Sequence, residues 1–186
     1  VCALAGYDVL LNDISKDRIE AGLAAIGKNL TRQVGSGKIT EAEKAAALAH
    51  VMPALELADL RPADLVIESA TEDEAVKRKI FTELCPKLKK SAMVASNTSS
   101  ISITRLASTT DRPEHFIGMH FMNPVPLMEL VELIRGIATE DEMFATARVF
   151  VESLGKKIAV SEDFPAFIVN RILLPMINEA VYTLYE

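Results

Sequence analysis

Apolar and polar positions fall into short blocks along the chain, and the period within each block predicts the element it forms. Residues 1–5 read as the closing turn of a helix, with Gly6 where a helix end needs a residue that tolerates positive φ. The apolar run 7–11 stops at Asn12-Asp13, as a buried parallel strand does at its carboxyl end. Ser15 is placed to cap an amphipathic helix over 16–34, which Gly35-Ser36-Gly37 terminates. Thr40 and Glu43 form a capping-box pair for a second helix over 41–49, so the two make a helical hairpin. Strands follow at 51–54 and 63–68. A helix is predicted over 72–89, with acids in its first turn and Lys87, Lys89 and Lys90 near its end. Then come a strand at 92–96, the polar loop Asn97-Thr98-Ser99-Ser100, a short helix at 103–107, and strands at 115–121 and 130–134. A helix at 140–154 closed by Gly155, a strand at 157–161 and a last helix from about Phe167 to the end complete the series.

Strand and helix alternate throughout, which predicts an α/β fold, a Rossmann-like doubly wound and mostly parallel sheet with the hairpin as an insertion. Ligands of such sheets bind at the carboxyl ends of strands. Asp13 stands at one of these ends, where a carboxylate can accept hydrogen bonds from the ribose hydroxyls of NAD. Lys16 and Arg18 keep NADP as the alternative, since a 2′-phosphate needs a cation. A glycine fingerprint should precede that acid by roughly 20 residues, which places the first strand and its glycine loop before Val1. The final helix is apolar on several sides (Phe167, Ile168, Val169, Ile172, Leu173, Leu174, Met176, Ile177), more than one neighbour can cover. The chain is therefore expected to be truncated at both ends: residues 1–164 a dinucleotide-binding domain, residues 165–186 the opening helix of an all-α domain.

Composition narrows the function classes. Hydrophobic residues make up 49% and charged residues 25%, the net charge is −6 and the pI about 5.2, which argues against nucleic acid as a partner. No apolar run is long enough to span a membrane, and the first residues lack the basic region of a signal peptide. Cys2 and Cys85 form no metal spacing and no disulfide framework, so a reducing, cytoplasmic setting is expected and no metal.

The chemistry concentrates between Ser96 and Asn170, in SNTSS (96–100), GMHFMNPVP (118–126), LVELI (130–134) and DFPAFIVNR (163–171). Glu132 lies within an apolar strand, and burying an unpaired carboxylate costs several kcal/mol (~3–5 when a partner is missing). His120, at the end of the preceding strand, is its natural partner. A carboxylate on one imidazole nitrogen fixes the tautomer and leaves the other nitrogen for acid/base work. Ser99 and Asn170 can add hydrogen bonds to the same substrate oxygen. His50 and His115 lack such a companion and read as structural or surface residues.

These motifs, in this order and over nearly the whole chain, resemble the L-3-hydroxyacyl-CoA dehydrogenase family, especially its bacterial 3-hydroxybutyryl branch. The resemblance implies NAD-dependent exchange of (S)-3-hydroxyacyl-CoA and 3-oxoacyl-CoA, in fatty acid or butyrate metabolism. It makes His120 the catalytic base, Glu132 its orienting partner, and Ser99 and Asn170 the contacts to the substrate oxygen. It puts Asp13, Glu72, Lys77, Asn97, Ser99 and Asn123 around the cofactor, with Asn123 also supporting the catalytic loop. It likens the hairpin to an arm that contacts CoA, with Lys28 and Arg32 as candidate phosphate partners, and it implies a homodimer through the helical domain. Pro175 matches the family's pattern inside the last helix. The alternatives are a non-catalytic fragment of such an enzyme, and a relative acting on a 3-hydroxy acid without CoA.

Overall fold

The structure is a computed structural model describing residues 1–186. The chain forms two compact units, residues 1–63 with 87–89, and residues 64–86 with 90–186.

In the first unit a 3-10 turn at Ala3–Ala5 is closed by Gly6, whose φ of 87° lets its N–H reach back to the Ala3 carbonyl. Strand β1 (Val9–Leu11) follows, then helix α1 (Lys16–Gly35), α2 (Glu41–Ala49) and strand β2 (Val51–Pro53). The two strands pair in parallel, Val9 against Val51. Ser15 caps α1 by accepting from the Arg18 N–H, and Thr40 and Glu43 close a complete capping box on α2. Helix α1 turns Ile19 and Leu30 inward and comes close to β1, so that a Cβ on Gly22 would stand 3.0 Å from Leu11 Cδ2.

The second unit is built on strands β3 (Leu65–Glu68), β4 (Met93–Ser96), β5 (Phe116–Phe121), β6 (Leu130–Arg135) and β7 (Lys157–Glu162), side by side in chain order. All neighbours run parallel except β5 and β6. Helices α3 (Glu74–Leu84), α4 (Ile103–Ala107), α5 (Asp141–Ser153) and α6 (Val169–Tyr185) connect or follow them. The central strands are buried along their whole length, as expected of a sheet covered on both faces. Met93, Ala95, Ile117, Met119, Val131 and Leu133 of the sheet pack with Ala147 and Val151 of α5 in one core. Gly118 is required by space: a Cβ there would lie 2.8 Å from Ile134 Cβ and 2.9 Å from the Ile103 side chain.

Two elements depart from the sequence reading. The helix predicted over 72–89 starts at Glu74 and ends at Leu84, giving way to a 3-10 turn at Cys85–Lys87. Asp73 caps it, so Glu72 lies outside the helix. Cys85 keeps helical φ/ψ, but Pro86 has no N–H to donate back to the Thr82 carbonyl, which ends the α-helical hydrogen-bond ladder there. The last helix starts at Val169 instead of Phe167, because Ala166 and Phe167 take left-handed φ values of 66° and 51°. No residue of α6 is buried, and Pro175 lies within it. No helix is long and apolar enough to cross a membrane.

Candidate active site

The antiparallel pairing of β5 and β6 sets His120 directly opposite Glu132. His120 Nδ1 lies 2.7 Å from Glu132 Oε2. Glu132 is completely buried and His120 only 8% exposed. The other carboxylate oxygen, Oε1, accepts from the backbone N–H groups of Ile168 at 2.9 Å and Val169 at 2.8 Å, at the very start of α6. The unpaired N–H groups of a helix start favour negative charge, so they and the imidazole together satisfy a carboxylate that could not otherwise be buried. With Nδ1–H donating to Glu132, Nε2 carries the lone pair, and the chain offers that nitrogen no partner. The ring of Phe167, 4% exposed, stands with its centroid 6.1 Å from that of His120.

A second polar cluster holds the loop after β4. Glu72 Oε1 accepts from Thr98 Oγ1 at 2.6 Å, Ser99 N at 2.8 Å and Ser99 Oγ at 3.2 Å, with Ser100 N and Oγ at 3.2 and 3.3 Å. Partial burial pushes the Glu72 carboxyl up, but the Thr98 and Ser99 hydrogen bonds and the Lys77 ammonium outweigh it and hold the group below the usual carboxylate range. Asn170 Nδ2 donates to the Ser99 carbonyl at 3.2 Å, and Asn97 Oδ1 accepts from the Phe121 N–H at 2.8 Å. The loop is thus tied both to α6 and to the end of the strand that carries His120.

Beneath it lies a buried ion pair. Lys77 Nζ donates to Glu68 Oε1 at 2.8 Å and Oε2 at 3.0 Å, Ser96 Oγ donates to Glu68 Oε2 at 2.7 Å, and Glu72 Oε2 stands 3.5 Å from the ammonium. Sequence reasoning missed Glu68 and Ser96. The signal was present: Glu68 ends an apolar strand, as anomalous there as Glu132 is in its own, and Lys77 follows nine residues later.

The sequence-predicted residues divide accordingly. His120 with Glu132, and Ser99 with Asn170 and Glu72, are brought together, and Asn97 joins them through Phe121. Lys77, expected beside the cofactor, is 1% exposed; its ammonium pairs with Glu68 and stands 3.5 Å from Glu72 Oε2, so it supports the residue that holds the Ser99 loop. Asn123, expected around the cofactor and in support of the catalytic loop, stands exposed without a hydrogen bond in the chain; the loop after His120 is held by Lys156, whose Nζ donates to the Val125 and Met128 carbonyls at 2.7 Å each. Asp13, Lys28 and Arg32 belong to the other unit, all exposed. Asp13 Oδ1 accepts from the Ile14 N–H at 2.7 Å and Oδ2 has no partner. His50 pairs with Asp8 at 2.8 Å, and His115 has a buried Nδ1 without a partner, apart from any of these clusters.

Residues 1–164 match the family model described as the NAD-binding domain of 3-hydroxyacyl-CoA dehydrogenase. A 3-hydroxybutyryl-CoA dehydrogenase of Bradyrhizobium diazoefficiens is 67% identical over all 186 residues, which span 64% of its length. The crystal structure of an (S)-3-hydroxybutyryl-CoA dehydrogenase from Ralstonia eutropha superposes with a TM-score of 0.94 at 46% identity, over 96% of this chain and 63% of that one. The alpha subunit of a fatty acid oxidation complex from Acinetobacter baylyi is 40% identical over 173 residues, 93% of this chain and 24% of that subunit. The chain therefore spans somewhat under two thirds of the 3-hydroxybutyryl-CoA dehydrogenases it matches. A Rossmann-like sheet, a buried His–Glu pair and a match over residues 1–164 agree, and the chain belongs to the 3-hydroxyacyl-CoA dehydrogenase family, in its NAD-binding domain.

Proposed function

We propose that the protein carrying this chain interconverts (S)-3-hydroxyacyl-CoA and 3-oxoacyl-CoA with NAD, in fatty acid or butyrate metabolism. The observation that carries this reading is the buried His120, with Nδ1 committed to Glu132 and Nε2 free to exchange a proton. In the oxidative direction His120 Nε2 takes the proton of the substrate hydroxyl, and Glu132 balances the imidazolium that results. In the reductive direction the same nitrogen returns it. Ser99 and Asn170, joined by the 3.2 Å hydrogen bond, are the groups proposed to hold the reacting oxygen. The burial of Glu132 keeps water from competing for the dyad.

NAD, when bound, supplies the hydride acceptor. Asp13 fits a ribose diol, since its exposed carboxylate at the end of β1 keeps one oxygen unpartnered. Asn97 fits an amide ligand, since its Oδ1 is fixed on Phe121 and its Nδ2 is free to donate. Glu72 and Ser99, in the same unit as Asn97, are proposed as further cofactor contacts. The chain contains no Gly-x-Gly-x-x-Gly, so none of its residues is assigned to the pyrophosphate. The exposed Lys28 and Arg32, one turn apart on α1, are proposed contacts for the CoA phosphates. The exposed apolar surface of α6 supports reading residues 165–186 as the start of a helical domain through which the intact protein dimerises. A cytoplasmic setting accords with two free thiols and the absence of a membrane-spanning helix.

The test is His120→Gln in the intact protein, which should lose at least about 10²-fold in acetoacetyl-CoA-dependent NADH oxidation while keeping its fold. Near-normal turnover in that variant overturns the mechanism. A parent protein that reduces simple 3-oxo acids as well as their CoA esters overturns the role given to Lys28 and Arg32.

A further inference from the structure

Asp163 lies just after β7, outside the site described above. Its Oδ2 accepts from Ser102 Oγ at 2.6 Å and Thr104 N at 2.8 Å, and its Oδ1 from Ile103 N at 2.9 Å. One carboxylate thus caps the start of α4 and anchors the chain as it leaves the sheet. Burial pushes that carboxyl up, but the bonds from Ser102, Thr104 and Ile103 outweigh it and hold the group below its ordinary value, so it stays ionised at neutral pH.

The chain then turns back over the dyad. Ala166 and Phe167 take φ values of 66° and 51°, and two consecutive non-glycine residues in the left-handed region persist only where their surroundings hold them. The far side of the turn supplies the holding contacts: Phe167 against the His120 ring, Ile168 and Val169 N–H on Glu132 Oε1, and Asn170 on the Ser99 carbonyl. One end of a strained eight-residue strap is fixed by Asp163, and the other end is the environment of the dyad. Glu132 is the one charged group in hydrogen-bond contact with His120, and its second oxygen is satisfied wholly by the strap.

We propose that Asp163 is a positioning residue for the His120–Glu132 dyad, acting through the 163–170 strap. By fixing the strap to α4 it sets where the Ile168 and Val169 N–H groups and the Phe167 ring stand, and so how the imidazole is presented. The catalytic part of this inference rests on the acid/base role proposed above for His120. The geometric part does not.

The experiment follows the ring titration of His120 by NMR in the intact protein, beside kcat and the KM for NAD across the neutral pH range. The variants are Asp163→Ala, Asp163→Asn and Ser102→Ala. Loosening the strap takes donors from Glu132 Oε1 and leaves more of its charge on the imidazole. The Asp163→Ala ring titration should therefore move to higher pH, with the acid limb of kcat following it. Its kcat should fall about tenfold and its KM for NAD stay within about twofold. Asp163→Asn, which retains one acceptor oxygen, should recover part of the loss. Ser102→Ala, which removes the hydroxyl bond to Asp163 and the cap on the Arg105 N–H but keeps the Ile103 and Thr104 donors, should give a smaller displacement in the same direction. An unmoved His120 titration in folded Asp163→Ala overturns the inference. If that variant does not fold, unmoved titrations in the other two overturn it. A moved titration in a protein without acyl-CoA turnover would strike the functional reading and leave the strap's hold on the dyad standing.

Discussion

Two carboxylates lie buried in the same sheet, one strand end apart in kind but not in use. Glu68, at the end of β3, meets Lys77 through both oxygens and Ser96 through one, and the cation it meets is only 1% exposed. Glu132, in the middle of β6, meets an imidazole and two backbone N–H groups, and its partner retains an unpaired nitrogen. Both arrangements meet the cost of burying charge. The difference is where the network ends. A closed network holds chain segments together, whereas one that ends in an unsatisfied, titratable atom is equipped to exchange a proton.

Substitutions in the two networks and the strap sharpen or break this comparison. Glu132→Gln should have the largest effect on turnover, a loss of about 10²-fold or more in kcat, because an amide presents the wrong group to His120 Nδ1 and cannot balance its positive charge. If Glu132→Gln kept its activity and Glu68→Gln lost it, the two roles would be reversed. Lys77→Met should destabilise the fold by about 3–5 kcal/mol in urea unfolding, since it leaves Glu68 buried without a cation, while the surviving folded molecules lose far less activity than Glu132→Gln. Replacing Lys77, Glu68 and Ser96 together by apolar residues should restore much of that stability, and failure to do so would mean the pair does more than close the fold.

Glu72→Gln should cost about 1–2 kcal/mol, the low end for hydrogen bonds to a charged group, since the carboxylate is 39% exposed. Its pH dependence carries a sign. The folded-state carboxyl is held below its unfolded value, so the stability it contributes is present above about pH 4 and is lost as the pH falls through the folded value. The Tm gap between parent and variant should therefore be full at neutral pH and close in acid. A gap that widened in acid would contradict the network described for the 97–100 loop. The smallest effect is expected at Ala166→Gly, a gain of at most about 1 kcal/mol, since relief of the left-handed φ is partly offset by a freer unfolded chain.

Much of this was legible in the residues, for reasons that differ by element. Helix starts at Ser15 and Thr40 could be read because a cap is a local event, complete within four residues. The dyad could be read because a carboxylate in an apolar strand demands a partner and the nearest histidine was one short connection away. The strap could not. Left-handed φ at Ala166 and Phe167 is imposed by contacts with β6, α4 and the Ser99 loop, and neither residue type announces it. Lys77 was placed near the cofactor by the resemblance alone, and nothing in its own position announced that it would be buried. Its burial follows from Glu68, whose anomaly had to be noticed first.

The antiparallel step between β5 and β6 has a consequence for how the protein is made. His120 and Glu132 are twelve residues apart, and the turn between their strands spans only residues 122–129. A parallel pairing would have required a crossover of a dozen or more residues, usually a helix, before the two could meet. The His120–Glu132 pair thus sits within a single low-contact-order hairpin, a unit that closes without waiting for distant segments. Its members can find each other early in folding, and mutations that fray the edges of the sheet should erode stability well before they separate the pair.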